Sequence, residues 1–156
     1  MKKVTSILVL LVFALLSSTS AFSQVYKGSV GLGIDLHDGA TLVGPSGKYF
    51  FDQNNAVQAE IGFGDDITKI EGLYQYHGQF TEAEGLQWFA GAGPAIFMYD
   101  GGSDFWIRFT GGLEYKIPSV PLVFSFDWRP GLSLESDVDD RFEAGIFGLG
   151  FRYAFD

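Results

Sequence analysis

Seven clusters of turn-forming residues cut this chain into eight segments of about 10 to 15 residues, and most of them alternate apolar and polar with period two. The clusters are Asp38-Gly39, Asp52 to Asn55, Gly64 to Asp66, Thr81 to Gly85, Asp100 to Ser103, Ile117 to Pro121 and Glu135 to Asp140. Between them the pattern predicts strands over 25–37, 41–51, 55–64, 68–80, 86–99, 104–116, 121–132 and 141–155. No stretch of this region carries a helical period. Strands of globular proteins usually run to about 5 or 6 residues. A strand crossing an apolar membrane band at a tilt near 45° needs about 9 to 11. The expected fold is therefore all-β: a closed antiparallel eight-stranded up-and-down barrel of transmembrane proportions.

The start of the chain follows a different rule. Lys2 and Lys3 precede an apolar run from Ile7 to Leu16, and Ala21-Phe22-Ser23 puts small residues at the −3 and −1 positions before Gln24. That layout predicts a secretory signal peptide over 1–23 and a barrel domain over 24–156. Ten apolar residues are too few to cross about 30 Å of hydrocarbon as a helix. Removing Lys2 and Lys3 takes the net charge from −9 to −11.

Composition narrows the remaining classes. With 17% aromatic residues the chain is no disordered acidic segment. It has no cysteine, which argues against a disulfide scaffold or a structural zinc site. It has no basic patch with which to neutralise phosphates, so nucleic acid is not an expected partner.

The two strand faces differ in kind. In the sixth segment Phe105, Ile107, Phe109, Gly111, Leu113 and Tyr115 oppose Trp106, Arg108, Thr110, Gly112, Glu114 and Lys116. In the seventh, Leu122, Phe124, Phe126 and Trp128 oppose Val123, Ser125, Asp127 and Arg129. Of the eight cations after residue 23, seven fall on the polar face: Lys27, Lys48, Lys69, Arg108, Lys116, Arg129 and Arg152. Five acids join them there, Asp35, Glu60, Glu71, Glu114 and Asp127; the other acids lie in turns, at strand ends or at the terminus. Near balance of charge is what a narrow closed interior requires, because an unpaired buried charge is costly. Lys27, Glu60, Glu71, Arg108, Glu114, Asp127 and Arg129 are thus expected to form a structural polar network inside the barrel. On the apolar face the aromatics gather near both strand ends. Tyr26, Tyr49, Phe51, Tyr76, Tyr115, Tyr153 and Phe155 fall toward one, and Phe63, Phe105, Trp128 and Phe142 toward the other. Twin aromatic girdles mark membrane barrels. The fifth segment is apolar on both faces and leaves its frame open. Pro45, Pro94 and Pro130 lie inside strands, where bulges are expected.

Several stretches resemble the small eight-stranded outer-membrane barrels of Gram-negative bacteria, the OmpX-like and OmpA-transmembrane-domain-like group. They are Gly47-Lys48-Tyr49-Phe50-Phe51, Leu73-Tyr74-Gln75-Tyr76-His77, Trp88 to Gly93, Gly112 to Pro118, Pro121 to Pro130 and the ending Gly150 to Phe155. The resemblance covers essentially all of residues 24–156. It implies an antiparallel barrel with both termini in the periplasm, export to the outer membrane and contact with its lipids and lipopolysaccharide. It also implies a C-terminal aromatic signal read by the barrel-assembly machinery. Here Asp156 follows Phe155, where that group ends on the aromatic.

No enzyme motif stands out: there is no P-loop, no Gly-x-Ser-x-Gly elbow and no His-Glu-x-x-His. Neither a catalytic residue, a cofactor nor a metal ligand is expected. Gly31-Leu32-Gly33 and Gly91-Ala92-Gly93 read as small residues inside a narrow barrel. The acids of the first, third, fifth and seventh turns read as a solvated rim, with oxygens suited at most to a weak Ca²⁺ or Mg²⁺ contact bridging lipopolysaccharide phosphates. The leading expectation is an integral outer-membrane barrel with a structural or surface-interaction role and no wide pore. Two others stay open. The same alternation with its apolar face inward serves a soluble periplasmic lipocalin-like barrel carrying an apolar ligand. A lipid A-modifying barrel enzyme would need a histidine beside a serine, such as His77 with Ser125 or His37 with Ser103.

Overall fold

The computed structural model describes residues 25–137 and 139–156. The expected signal peptide, 1–23, lies outside the described residues. The eight strands are β1 (Gly28–His37), β2 (Ala40–Phe50), β3 (Asn55–Phe63), β4 (Ile67–Gln79), β5 (Leu86–Tyr99), β6 (Gly102–Lys116), β7 and β8. The last two are each interrupted once: β7 consists of Leu122–Trp128 and Gly131–Ser133, and β8 of Phe142–Glu143 and Phe147–Phe155. Each strand pairs antiparallel with the next, and β8 returns to β1 through Gly28↔Phe155 to Leu36↔Phe147. The sheet is therefore closed, with up-and-down topology and no free edge. The predicted strand limits hold to within a few residues.

The registers fix the barrel's proportions. Stepping sideways from Leu36, the paired residues are Phe147, Trp128, Gly111, Ala90, Tyr76 and Asn55. Phe51, which donates to Asn55 O at 3.1 Å, closes the circuit opposite Tyr26 in the β1–β2 register, ten residues before the start. A stagger of ten over eight strands, at about 3.3 Å per residue and 4.8 Å between strands, sets the tilt near 40°. At that tilt a ten-residue strand such as β1 climbs about 25 Å. This equals the apolar height of a membrane-spanning barrel.

Turns at the rim carrying Val25 and Phe155 join β2 to β3, β4 to β5 and β6 to β7; we call this the terminal rim. The opposite, far rim carries the other four connections, of which Asp38-Gly39 and Asp100-Gly101, two residues each, are the tightest. Gly39 has φ +82° there, a conformation that costs a side-chain-bearing residue strain. On the terminal rim, Asp52 accepts from the backbone N–H of Asn54 and of Asn55, both at 2.8 Å. The N–H of Asn54, foremost, holds that carboxyl below the usual carboxylate range.

Among the described residues only one irregularity shifts a register. Pro45 and Pro94 interrupt their ladders without slippage: Val43↔Phe63 and Ser46↔Glu60 flank the first in one frame, and Pro94↔Ile107 lies in an unbroken β5–β6 run. The bulges expected at those two prolines are absent. At Pro130 the β6 register passes unchanged from Gly111↔Trp128 to Arg108↔Gly131. The extra residue is on the facing strand, where Gly131↔Glu143 gives way to Trp128↔Phe147. This bulge turns Ile146 inward, and its carbonyl accepts from Arg129 N at 2.8 Å.

The fifth strand's frame follows from its neighbours. Gln87, Phe89 and Ala95 are buried, while Ala90 and Pro94 face out. The outer wall carries the aromatic and aliphatic face all the way round. Phe105 and Phe126 are each 53% exposed and Phe151 47%, whereas Arg108 is 0% exposed.

Candidate functional site: the barrel interior

The interior is layered along the axis, and each layer follows from inward residues at one height. At the terminal rim Tyr26, Phe50, Ala56, Val123 and Ala154 form an apolar plug. Tyr26 was expected outside and Lys27 inside; the structure reverses both. The chain bends before β1 begins, so period-two alternation no longer applies. The Tyr26 ring packs edge-on against Phe50 with centroids 5.1 Å apart, and its hydroxyl donates to Glu114. Lys27 is exposed and takes no part in the interior network.

Above the plug lies a small cluster around Glu114. Its Oε2 accepts from Lys48 Nζ at 2.6 Å and from Arg152 Nη2 at 2.7 Å. Beside it His77 stacks on Phe89 at 5.2 Å, with Nδ1 3.0 Å from Gln87 Oε1 and Nε2 3.2 Å from Gln75 Oε1. A glutamine bridge continues upward. Gln75 Nε2 donates to Gln58 Oε1, and Gln58 Nε2 donates to Glu60 Oε2, each at 3.3 Å.

The bridge reaches a larger cluster in mid-barrel. Lys69 Nζ lies 2.8 Å from Asp35, 2.9 Å from Glu60 and 3.3 Å from Glu71. Arg129 donates through Nε to Asp127 at 2.6 Å and through Nη1 to Glu60 at 2.9 Å. Thr110 Oγ1 completes the shell of Asp127 at 2.7 Å. Arg108 joins through Nη2 to Asp35 Oδ2 at 3.3 Å.

Of the expected network residues, Glu60, Glu71, Arg108, Asp127 and Arg129 meet in this cluster and Glu114 in the lower one. Asp35, Lys48, Lys69 and Arg152 complete the two, and all four lie on the face that the alternation marks as polar. With Lys27 and Lys116 left out, Lys116 being half-buried with its Nζ donating to Ile117 O, the count closes. Among the described residues, five buried cations face five buried acids. The larger cluster has four acids to three cations and the smaller one acid to two cations, so neutrality holds only for the interior as a whole. Such an arrangement limits the desolvation penalty of buried ions.

Glycines give these ions their room. A Cβ on Gly148 would overlap the Arg129 guanidinium, and one on Gly33 would overlap the Glu60 carboxylate. Gly148→Ala is therefore expected to destabilise the barrel by about 1–3 kcal/mol, read from equilibrium unfolding in urea. The same substitution at Gly47, where a Cβ would meet nothing nearer than 3.8 Å, should stay within about 0.5 kcal/mol.

At the far rim the interior becomes apolar again. A cavity of about 210 Å³ opens between Leu42, Ile67, Phe97, Trp106 and Ile146, with His37, Asp104 and Glu143 in its lining and Arg108 beneath. His37 Nε2 lies 3.2 Å from Asp35 Oδ2.

The histidine–serine pairs do not assemble. Ser125 accepts from Arg152 Nη2 at 3.0 Å, while His77 is engaged by glutamines. His37 turns to Asp35, and Ser103 stands exposed. No group of three or more metal-ligating side chains occurs among the described residues. Compared with known proteins, the chain matches no family model, no curated protein and no solved structure.

Proposed function

We propose that this chain is an integral outer-membrane β-barrel of the OmpX-like kind, with a structural or surface-interaction role and a sealed interior. The observation that carries this reading is the inside-out distribution of polarity. Large apolar side chains cover the outer wall on every strand, and the buried charges lie within. A water-facing wall of that kind would be an aggregation surface, because monomeric soluble proteins seldom expose apolar patches beyond a few hundred Å². In a bilayer the same wall meets hydrocarbon, while barrel closure satisfies the backbone. The tilt near 40° and the climb of about 25 Å favour the same reading.

The interior argues against a carrier that holds a lipid along its axis, since ten paired ions occupy that space. The layering also argues against a wide pore, with the plug of Tyr26, Phe50 and Val123 below and the salt-bridged cluster above. On this reading the terminal rim faces the periplasm and the far rim, with its acids, faces outward. Outer-membrane lipid and lipopolysaccharide are then the neighbours, and the barrel-assembly machinery acts during insertion.

The test is electrophoretic. The protein should sediment with the outer membrane, need detergent for extraction, and migrate faster unboiled than boiled. Release by osmotic shock, solubility without detergent and identical migration in both states would overturn the proposal.

A further inference from the structure

We infer that the far mouth of the barrel binds a short-chain primary alkylammonium ion, its head between His37 and Glu143 and its tail in the apolar cavity below. The inference goes beyond the membrane reading and does not depend on it.

The head site follows from hydrogen-bond accounting. His37 and Asp35 project from the same face of β1, and His37 Nε2 lies 3.2 Å from Asp35 Oδ2. A carboxylate only accepts, so Nε2 carries the proton, and in the neutral ring Nδ1 is left as an acceptor. That Nδ1 stands 3.9 Å from Glu143 Oε1, a second acceptor. The two cannot bond each other. A nitrogen about 2.9 Å from both would close the triangle and donate to each. The site is open to a ligand, since the side chains of His37 and Glu143 are 13% and 41% exposed. An ammonium suits it best, because a charged donor bonds a carboxylate about twice as strongly as a neutral one. Two N–H groups are required, which excludes a quaternary ammonium.

The field at the rim agrees. Asp104 lines the cavity, and Asp38, Asp65, Asp66 and Asp100 stand on the same rim. Among the described residues Arg141 is the only exposed cation there. Such a rim draws cations to the mouth. Arg108 beneath the cavity opposes this little: it is wholly buried, pairs with Asp35 at 3.3 Å and lies under the Phe97 ring at 5.6 Å.

The cavity decides the tail. Leu42, Ile67, Trp106 and Ile146 line a space of about 210 Å³. An apolar cavity of roughly 150 Å³ takes up benzene, so this one houses a chain of about four carbons. Phe97 is not free to stack on a guest ring, because His37 packs edge-on against it and the Arg108 guanidinium covers it. An aliphatic tail makes no such demand, and each methylene it buries strengthens binding about fourfold.

Fluorine NMR at neutral pH tests this on the full chain, kept monodisperse in zwitterionic lipid nanodiscs or detergent. The probe is 4,4,4-trifluorobutylammonium. Three competitors each lack one feature: 1-butanol the charge, methylammonium the tail, and butyltrimethylammonium the N–H donors. The expected result is saturable binding of the probe, with each competitor displacing it at least tenfold less well than n-butylammonium. Glu143→Gln should weaken binding about tenfold, as the loss of a charge-assisted hydrogen bond implies. Asp65→Asn, a rim acid outside the cavity lining, should change it less than twofold. Ala40→Phe, at the cavity entrance, should abolish the saturable component while far-UV dichroism still reports a folded barrel. Equal displacement by butanol or by butyltrimethylammonium would overturn the proposal, as would equal displacement by methylammonium, which would leave only an acidic rim. Uptake that rises linearly with lipid, that survives in Ala40→Phe, or that Glu143→Gln and Asp65→Asn weaken equally would overturn it too.

Discussion

Arg129→Met is expected to destabilise the barrel by about 3–5 kcal/mol, the cost of removing one partner from a buried ionic network. The guanidinium touches four carboxylates: Asp127 at 2.6 Å, Glu60 at 2.9 Å, Glu71 at 3.4 Å and Asp35 at 3.5 Å. Without it Asp35, Glu60 and Glu71 share Lys69 and Arg108, and Asp127 keeps Thr110 but loses its cation. Methionine approximates the aliphatic stem, so the loss is electrostatic rather than a cavity. Tryptophan fluorescence during urea unfolding of the reconstituted protein measures it. The double variant Arg129→Met/Asp127→Asn should recover part of the loss, because it removes one acid with the cation. A cost below 1 kcal/mol for the single variant would show that water or rearranged neighbours replace the arginine, and that the barrel does not depend on the network.

Phe109→Arg tests the wall in the same assay. Phe109 lies midway along β6, is 41% exposed and points away from the interior. In a bilayer an arginine at mid-depth costs about 2–4 kcal/mol, falling to about 0–1 near the interface. Phe109→Arg should therefore cost about 2–4 kcal/mol in lipid vesicles, and Tyr115→Arg, close to the terminal rim, about 1 or less. Only a hydrocarbon environment makes the cost depend on depth. On a wetted wall both substitutions would stay within about 0.5 kcal/mol, as exposed changes usually do. Equal small effects at the two positions would remove the membrane from the proposal and leave the barrel intact.

Much of this was readable in the chain because period-two alternation is a local property. Phe105, Phe109, Phe124, Phe126 and Phe151 stand outside and Arg108, Glu114, Asp127 and Arg129 inside, as their parity required. Parity failed where the ladder stopped. Tyr26 and Lys27 precede β1, and the bend there exchanged their sides, so a girdle tyrosine became an interior donor and a network lysine became a rim cation. The frame of β5 was unreadable for another reason. Its inward Phe89, Gly91, Gly93 and Ala95 are as apolar as its outward residues, and the registers with β4 and β6 settle it. The prolines misled because a missing N–H interrupts a ladder without lengthening a strand. At Pro130 the extra residue sits on β8, opposite the gap.

The sequence by itself determined the number of strands, their length, the turns and the polarity of each face, since all of these follow from alternation and turn chemistry along the chain. It also placed every member of the ionic network on one face. Only the tertiary structure decided which ion meets which. Lys69 finds Asp35, 34 positions away, and Arg152 finds Ser46 at a separation of 106, because closure with a stagger of ten brings distant strands to one height. The far-rim cavity has the same origin: Leu42, Phe97, Trp106 and Ile146 come from four strands, and Ile146 points inward only because of the bulge.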